Sequence, residues 1–215
     1  MATDREGVST VTAQFPINLE LAGRAVLVVG GGRIALRKTE QLLPTAATVT
    51  VVAPAVDPGF NSLPVTVVQR AFQLDDLDGQ RLVITATGVR EVDQLIYDEC
   101  ERRGIWVNSA DDPARCSFTL PAVVRRGQLM VTVSTAGASP ALSSWLRARL
   151  ADAIGPEFAD VVNDLAAERA RVHAEGRSTE DVDWRPIIAD VLHAHGLAAS
   201  PLLAAGLAEA STVPA

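Results

Sequence analysis

Short apolar runs, each ending in a turn, set the rhythm of the first half of the chain. The first, Ala25–Val29, is apolar without interruption, the pattern of a strand buried on both faces in a parallel sheet. It stops at Gly30-Gly31-Gly32, and residues 33–43, ahead of Pro44, take up a helical spacing. Residues 49–53 predict a second strand ended by Pro54, and residues 65–69 a third. A fourth covers residues 81–87 and leads into a helix over 91–103; a fifth covers 105–108. Ahead of them, residues 15–21 alternate like an edge strand, the sheet position that tolerates Pro16. Strands alternating with helices predict an α/β fold, an open and doubly wound parallel sheet of the Rossmann type over residues 15–113.

Past Asp111 the pattern changes. Extended residues 117–123 and 128–134 flank Arg125-Arg126-Gly127, which reads as a hairpin turn. Ser139 and Pro140 then read as the cap and first residue of a helix carrying an apolar stripe of Leu142, Trp145, Leu146 and Leu150. Gly155-Pro156 breaks it, and helices are expected over residues 157–174 and 186–195, with a polar linker at 176–183. A flexible leader over residues 1–14 and a disordered tail over 199–215 complete the expectation.

Composition narrows the function classes. With 215 residues, 48% of them hydrophobic, the chain can bury a substantial core. It shows no membrane span, and its first residues lack the apolar segment of a signal peptide. Cys100 and Cys116, without CxxC spacing, suggest a reducing compartment, so a cytoplasmic location is expected. A net charge of −7 argues against a nucleic-acid partner. Lys38 is the only lysine, so arginine forks are expected to do most of the holding of any anionic ligand.

The turn after the first strand carries the chemistry. Gly30, Gly32 and Ala35 fit G-x-G-x-x-G/A in its strand–turn–helix setting. Gly30 permits the tight turn, Gly32 lets a pyrophosphate approach the backbone, and Ala35 lets the helix lie close to the strand. The helix N-terminus then offers free N–H groups to the phosphates. Gly30, Gly31, Gly32, Arg33 and Ile34 are therefore candidate cofactor contacts, with Pro54 and Ala55 after the second strand and Thr87 after the fourth. An acid for the ribose 2′-OH is expected about 20 residues on. The nearest, Asp57, is slightly late, and no arginine awaits a 2′-phosphate, so NAD and NADP both stay open.

Several stretches, taken in order, resemble the precorrin-2 dehydrogenase / sirohydrochlorin ferrochelatase family, which also forms the N-terminal part of sirohaem synthases. They are Phe-Pro-Ile-Asn-Leu at 15–19, Val-Gly-Gly-Gly-Arg-Ile-Ala-Leu-Arg-Lys at 29–38 and Val-Thr-Val-Val-Ala-Pro at 49–54. Asn-Ser-Ala-Asp-Asp-Pro at 108–113 is similar to the family's N-x-x-D-x-P, and residues 131–140 to V-x-V-S-S-G-G-x-S-P. The last two make the likeness specific, because the glycine motif is shared with many dehydrogenases. The sequence departs from the family at Thr85-Ala86-Thr87-Gly88 and Asp93, and at Thr135 and Ala136 in the serine–glycine turn.

The resemblance implies a reduced tetrapyrrole substrate bearing eight carboxylates. A hydride passes from a ring carbon to NAD+ and a proton is released, giving sirohydrochlorin. In the family's second reaction Fe2+, as a substrate, enters the ring as two pyrrole protons leave. Asp111 is the implied catalytic carboxylate for both, with Asp112 as its neighbouring competitor and an Asx turn before Pro113 as the plain structural alternative. Asn108, Ser117, Ser134, Thr135, Arg37 and Lys38 are candidate substrate contacts, and Ser139, Arg33 and Arg115 are further candidates. An octa-anion approaching an acidic protein calls for a local cluster of such cations. Residues 114–148 are the expected dimerisation and substrate segment, residues 149–198 a helical domain, and the assembly a homodimer. His173, His193 and His195 read as surface residues and Cys116 as core, so no resident metal is expected. Rival readings are a Rossmann dehydrogenase for another small molecule, a nucleotide-sensing regulatory domain, and a dehydrogenase without chelatase activity.

Overall fold

A computed structural model describes residues 13–197. The expected leader, but for residues 13 and 14, and the expected tail lie outside that range. The contacts divide the chain into two units, one up to Thr119 and the other from Leu120.

In the first unit five strands form one parallel sheet: β1 (Ala25–Val29), β2 (Thr48–Val52), β3 (Thr66–Val68), β4 (Leu82–Thr85) and β5 (Trp106–Ser109). Their spatial order is β3-β2-β1-β4-β5. Val29 pairs with Val52 on one side and Thr85 on the other, and Thr85 with Ser109, so these strands end side by side. The order turns back between β1 and β4, where such sheets open a crevice at the strands' carboxyl ends.

Alternate residues of β1 feed two cores. Val26 and Val28 pack with Ala35, Leu42, Phe60 and Ile84 on one face; Leu27 and Val29 pack with Leu77, Ile96, Cys100 and Val107 on the other. Helix α1 (Arg33–Leu42) covers the first face and α2 (Arg90–Arg103) the second, which is the doubly wound arrangement. Between β2 and β3, and again between β3 and β4, the chain makes only short 3-10 turns, Pro58–Ser62 and Leu74–Leu77. Residues 15–21 form no strand, contrary to their alternation. Phe15 is 87% exposed, and only Leu21 reaches the core.

The second unit opens with an antiparallel hairpin, β6 (Ala122–Arg126) and β7 (Leu129–Val133). Its turn is Gly127-Gln128, so Arg125 and Arg126 belong to the strand rather than to the turn expected for them. Arg126 uses that position: its Nε donates to Ile154 O at 2.8 Å and its Nη2 to Ala151 O at 2.9 Å. A cation thus closes the carbonyl end of α3 (Pro140–Ala153). Helices α4 (Phe158–Ala174) and α5 (Trp184–Ala194) follow, packed on each other. The stripe on α3 is only partly covered: Leu142 and Trp145 are 47% and 60% exposed, while Leu146 and Leu150 are half-buried. Among the described residues no helix is long and apolar enough to cross a membrane.

Candidate functional site

The glycine turn lies at the carboxyl end of β1. Gly30 has φ +129°, and Gly31 is wedged against the backbone after β2, where Asp57 N donates to Gly31 O at 2.7 Å. Gly32 is the cap residue of α1 and offers no side chain to its first N–H groups, and the first turn carries no acid. A methyl group built on Gly32 meets nothing within 4 Å. An open approach to uncapped amides at a helix N-terminus is what a pyrophosphate requires, so these residues fit a dinucleotide.

Pro54 and Ala55 leave the end of β2, both exposed, beside this turn. Asp57, the nearest acid, accepts from Gly59 N at 2.8 Å and caps the 3-10 turn that follows. At the end of β4, the hydroxyls of Thr85 and Thr87 both donate to Asp93 Oδ1 on the first turn of α2, Thr87 at 2.8 Å. Val89 N in turn donates to Thr87 Oγ1 at 3.0 Å. Asp93 is 9% exposed. The loop that leaves β4 is therefore pinned by one buried carboxylate. A Thr-x-Thr followed within a turn of helix by an acid is the sequence signal for it.

The third part of the site follows β5. Asn108, 6% exposed, accepts at Oδ1 from Lys38 Nζ at 3.1 Å and donates from Nδ2 to Phe118 O at 2.9 Å. Burial pushes the Lys38 ammonium below the usual lysine value; Cys116 opposes this, Arg37 adds to it and Asp111 opposes it. The Cys116 thiol lies 3.2 Å from Asp112 O, and burial raises it, so it stays protonated at neutral pH. Among the described residues, Ser109 Oγ and, on α1, Thr39 Oγ1 are buried without hydrogen-bond partners.

Asp111 and Asp112 differ sharply. Asp112 accepts from Ala114 N, caps the turn Pro113–Arg115 and forms an ion pair with Arg115. Arg115 is itself buried and donates from Nε to Gln94 Oε1 at 2.7 Å. The Asx-turn role is thus filled by Asp112, and Arg115, a candidate cation for the substrate, is spent inside the fold. Asp111 is exposed, has φ +61° and has no hydrogen-bond or ionic partner among the described residues. A short polar side chain is one of the few, glycine apart, that tolerates this left-handed backbone.

Ser117 is committed as well. Its Oγ accepts from Val107 N at 2.8 Å, and its own N donates to Val107 O at 2.8 Å, so the side chain extends the edge of β5 rather than standing free. Arg33 and Arg37 stand one turn apart on α1, both exposed and without carboxylate partners among the described residues. With Lys38 they form a cationic stretch on a single helix.

Ser134 and Thr135 belong to the second unit, in the loop between β7 and α3. Ser134 Oγ accepts from Ala136 N at 3.2 Å, and Thr135 Oγ1 accepts from Ser139 N at 3.0 Å, while Ser139 caps α3. Ala136 adopts φ +51° at the position where the family motif has glycine. In the same unit His195 Nε2 pairs with Asp164 Oδ2 at 2.8 Å. No three of His, Cys, Asp and Glu gather as a metal site among the described residues.

Residues 17–122 match an NAD(P)-binding family model. The chain is 40% identical over 165 residues to Siroheme synthase 1 of Aeromonas hydrophila, covering 74% of this chain and 35% of that protein. It is 35% identical over 185 residues to the Siroheme synthase of Acinetobacter baylyi, covering 83% of this chain and 40% of the other. The chain thus spans well under half the length of these relatives. Among solved structures, SirC, a precorrin-2 dehydrogenase, superposes with a TM-score of 0.65 at 25% identity, over 85% of this chain and 99% of SirC.

Proposed function

We propose that the chain belongs to the NAD(P)-binding family that includes SirC and siroheme synthases, and that it oxidises precorrin-2 to sirohydrochlorin with NAD+ as acceptor. The observation that carries the reading is Asp111. It is an exposed carboxylate without an internal partner, in the loop leaving β5 at the edge where the glycine turn opens.

Bound NAD+ would supply the hydride acceptor. Gly32 and the first amides of α1, with Arg33 and Ile34 beside them, would hold its pyrophosphate. Pro54 and Ala55 would line the adenosine side, and the loop of Thr87, fixed through Asp93, the other end. Asp57 is occupied as a cap, so the 2′-OH meets no free carboxylate there; NAD+ is preferred here on the family's likeness. Asp111 would take the proton that the ring gives up as its carbon is oxidised. Lys38 and Arg37 would hold substrate carboxylates, with Asn108 Oδ1 beside the Lys38 ammonium. Ser117 donates its hydroxyl proton to Val107 O at 3.2 Å and has no donor left for such a role. The same free carboxylate would take up pyrrole protons if Fe2+ insertion follows as a second reaction.

The test is anaerobic: purified protein, precorrin-2 and NAD+, followed by NADH absorbance and the sirohydrochlorin spectrum, then addition of Fe2+. NADH formation at the rate of sirohydrochlorin appearance is expected, and iron insertion faster than background would add the chelatase. Nucleotide binding without turnover of either NAD+ or NADP+ would replace the reading with a nucleotide-sensing role.

We further propose a homodimer, supported by the uncovered Leu142 and Trp145 on α3. Light scattering at micromolar concentration is expected to give twice the chain mass, and Trp145→Asp to give a monomer. A wild-type monomer would overturn it.

A further inference from the structure

We propose that Lys38 is the ammonium that grips one carboxylate of the substrate beside Asp111, aimed by Asn108 as its positioning residue, and that a guanidinium cannot take its place. The inference rests on the precorrin-2 reading and deepens it.

Composition singles the residue out. Every other fixed cation in the sequence is arginine, and the single lysine stands where α1 meets the end of β5. Its surroundings explain why a compact head group suits the place. Asn108 is buried, and its amide orientation is settled from both ends: Nδ2 must face the Phe118 carbonyl, which leaves Oδ1 facing the ammonium. Nζ is therefore held at one point, 3.1 Å from a fixed neutral acceptor.

That bond uses one of three N–H donors. Lys38 forms no ion pair among the described residues, although it is half-buried. The charged and titratable groups near it are Arg37 on its own helix and Cys116 and Asp111 on the segment after β5. A partly desolvated cation whose one hydrogen-bond partner is neutral has no anion in contact with it among the described residues, Asp111 acting on it only through space. A substrate carboxylate placed against the two spare N–H groups supplies it, and does so next to Asp111. A planar fork with donors fixed in five directions cannot meet Asn108 Oδ1 and a ligand from the same compact point.

The single lysine makes the test direct. Acylation of the native protein by acetic anhydride modifies Lys38 and the α-amino group, and the second serves as internal reference in mass spectrometry. Uroporphyrin III, a stable macrocycle with eight carboxylates, is the probe, its binding followed by fluorescence. Saturating probe is expected to slow Lys38 acylation by about tenfold or more relative to the α-amino group, consistent with a charge-assisted contact. Lys38→Met and Lys38→Arg are each expected to raise KM for precorrin-2 by about tenfold while kcat and NAD+ affinity stay within about twofold, the pattern of lost uniform binding. Asn108→Ala is expected to raise KM in the same direction, and less so in a Lys38→Met background. Probe bound with Lys38 acylated at its unliganded rate, or Lys38→Arg with wild-type KM, overturns the inference and leaves the dehydrogenase standing. Failure of the probe to bind, together with no turnover of precorrin-2, removes the reading itself and this inference with it.

Discussion

Asp111→Asn is expected to lower kcat for precorrin-2 oxidation by at least about a hundredfold, within the range for loss of a positioned general base. Asparagine keeps the side-chain shape and tolerates the left-handed backbone at φ +61°, so the fold should not register the change. Asp111 makes no hydrogen bond or ion pair among the described residues, so within the protein its charge acts only through space, on Lys38. NAD+ affinity, measured by calorimetry, should stay within about twofold of wild type. Asp112→Asn is the control, and its expected effect lies elsewhere. It deprives Arg115, 9% exposed at its side chain, of its ionic partner. Thermal stability should therefore fall, by roughly 1–3 kcal/mol, while kcat is largely kept. The assignment is overturned if Asp112→Asn abolishes turnover in a protein of unchanged stability while Asp111→Asn remains active.

This pair marks where the sequence stops being readable. The strand–glycine–helix unit is local: an apolar run, three glycines and a helical period lie within eighteen residues, and β1 and α1 form where that pattern puts them. The parallel sheet follows from the same kind of signal repeated. Choosing between two adjacent aspartates is a different problem. It depends on Arg115 folding back under Asp112, and on Gln94 from α2 holding that guanidinium, contacts that no spacing rule reveals. Ser117 is similar, because only the paired edge of β5 shows its hydroxyl replacing a strand partner. Residues 15–21 fail for the opposite reason. Alternation reports a face that could be buried, and it is silent on whether a neighbouring strand exists to pair with it. The exposed stripe of α3 was legible as a helix face in need of a partner, because apolar spacing on a helix is local, while the partner is not.

The glycine turn gives the second large effect, and it separates folding from binding. A Cβ on Gly30 would lie 2.3 Å from Ala86 O and 2.7 Å from Ala86 C, both backbone atoms, at a φ of +129° that only glycine adopts freely. Neither β1 nor β4 can retreat, since their registers are locked to β2 and β5 on either side. Gly30→Ala should therefore cost on the order of 3 kcal/mol or more, seen as a large drop in thermal midpoint or as insoluble protein. Gly31→Ala meets Ala55 O at 2.0 Å and should behave likewise. At Gly32 the same methyl group meets open space at φ −83°, an ordinary backbone angle. Its thermal midpoint should stay near wild type, while NAD+ affinity falls about tenfold or more, because the methyl stands where the pyrophosphate must approach the first amides of α1. Normal NAD+ binding by Gly32→Ala would move the phosphates away from this helix. A fully stable Gly30→Ala would show that the turn is looser than its contacts with β4 require. One added carbon, placed at two positions in the same turn, thus tests the sheet in one case and the cofactor site in the other.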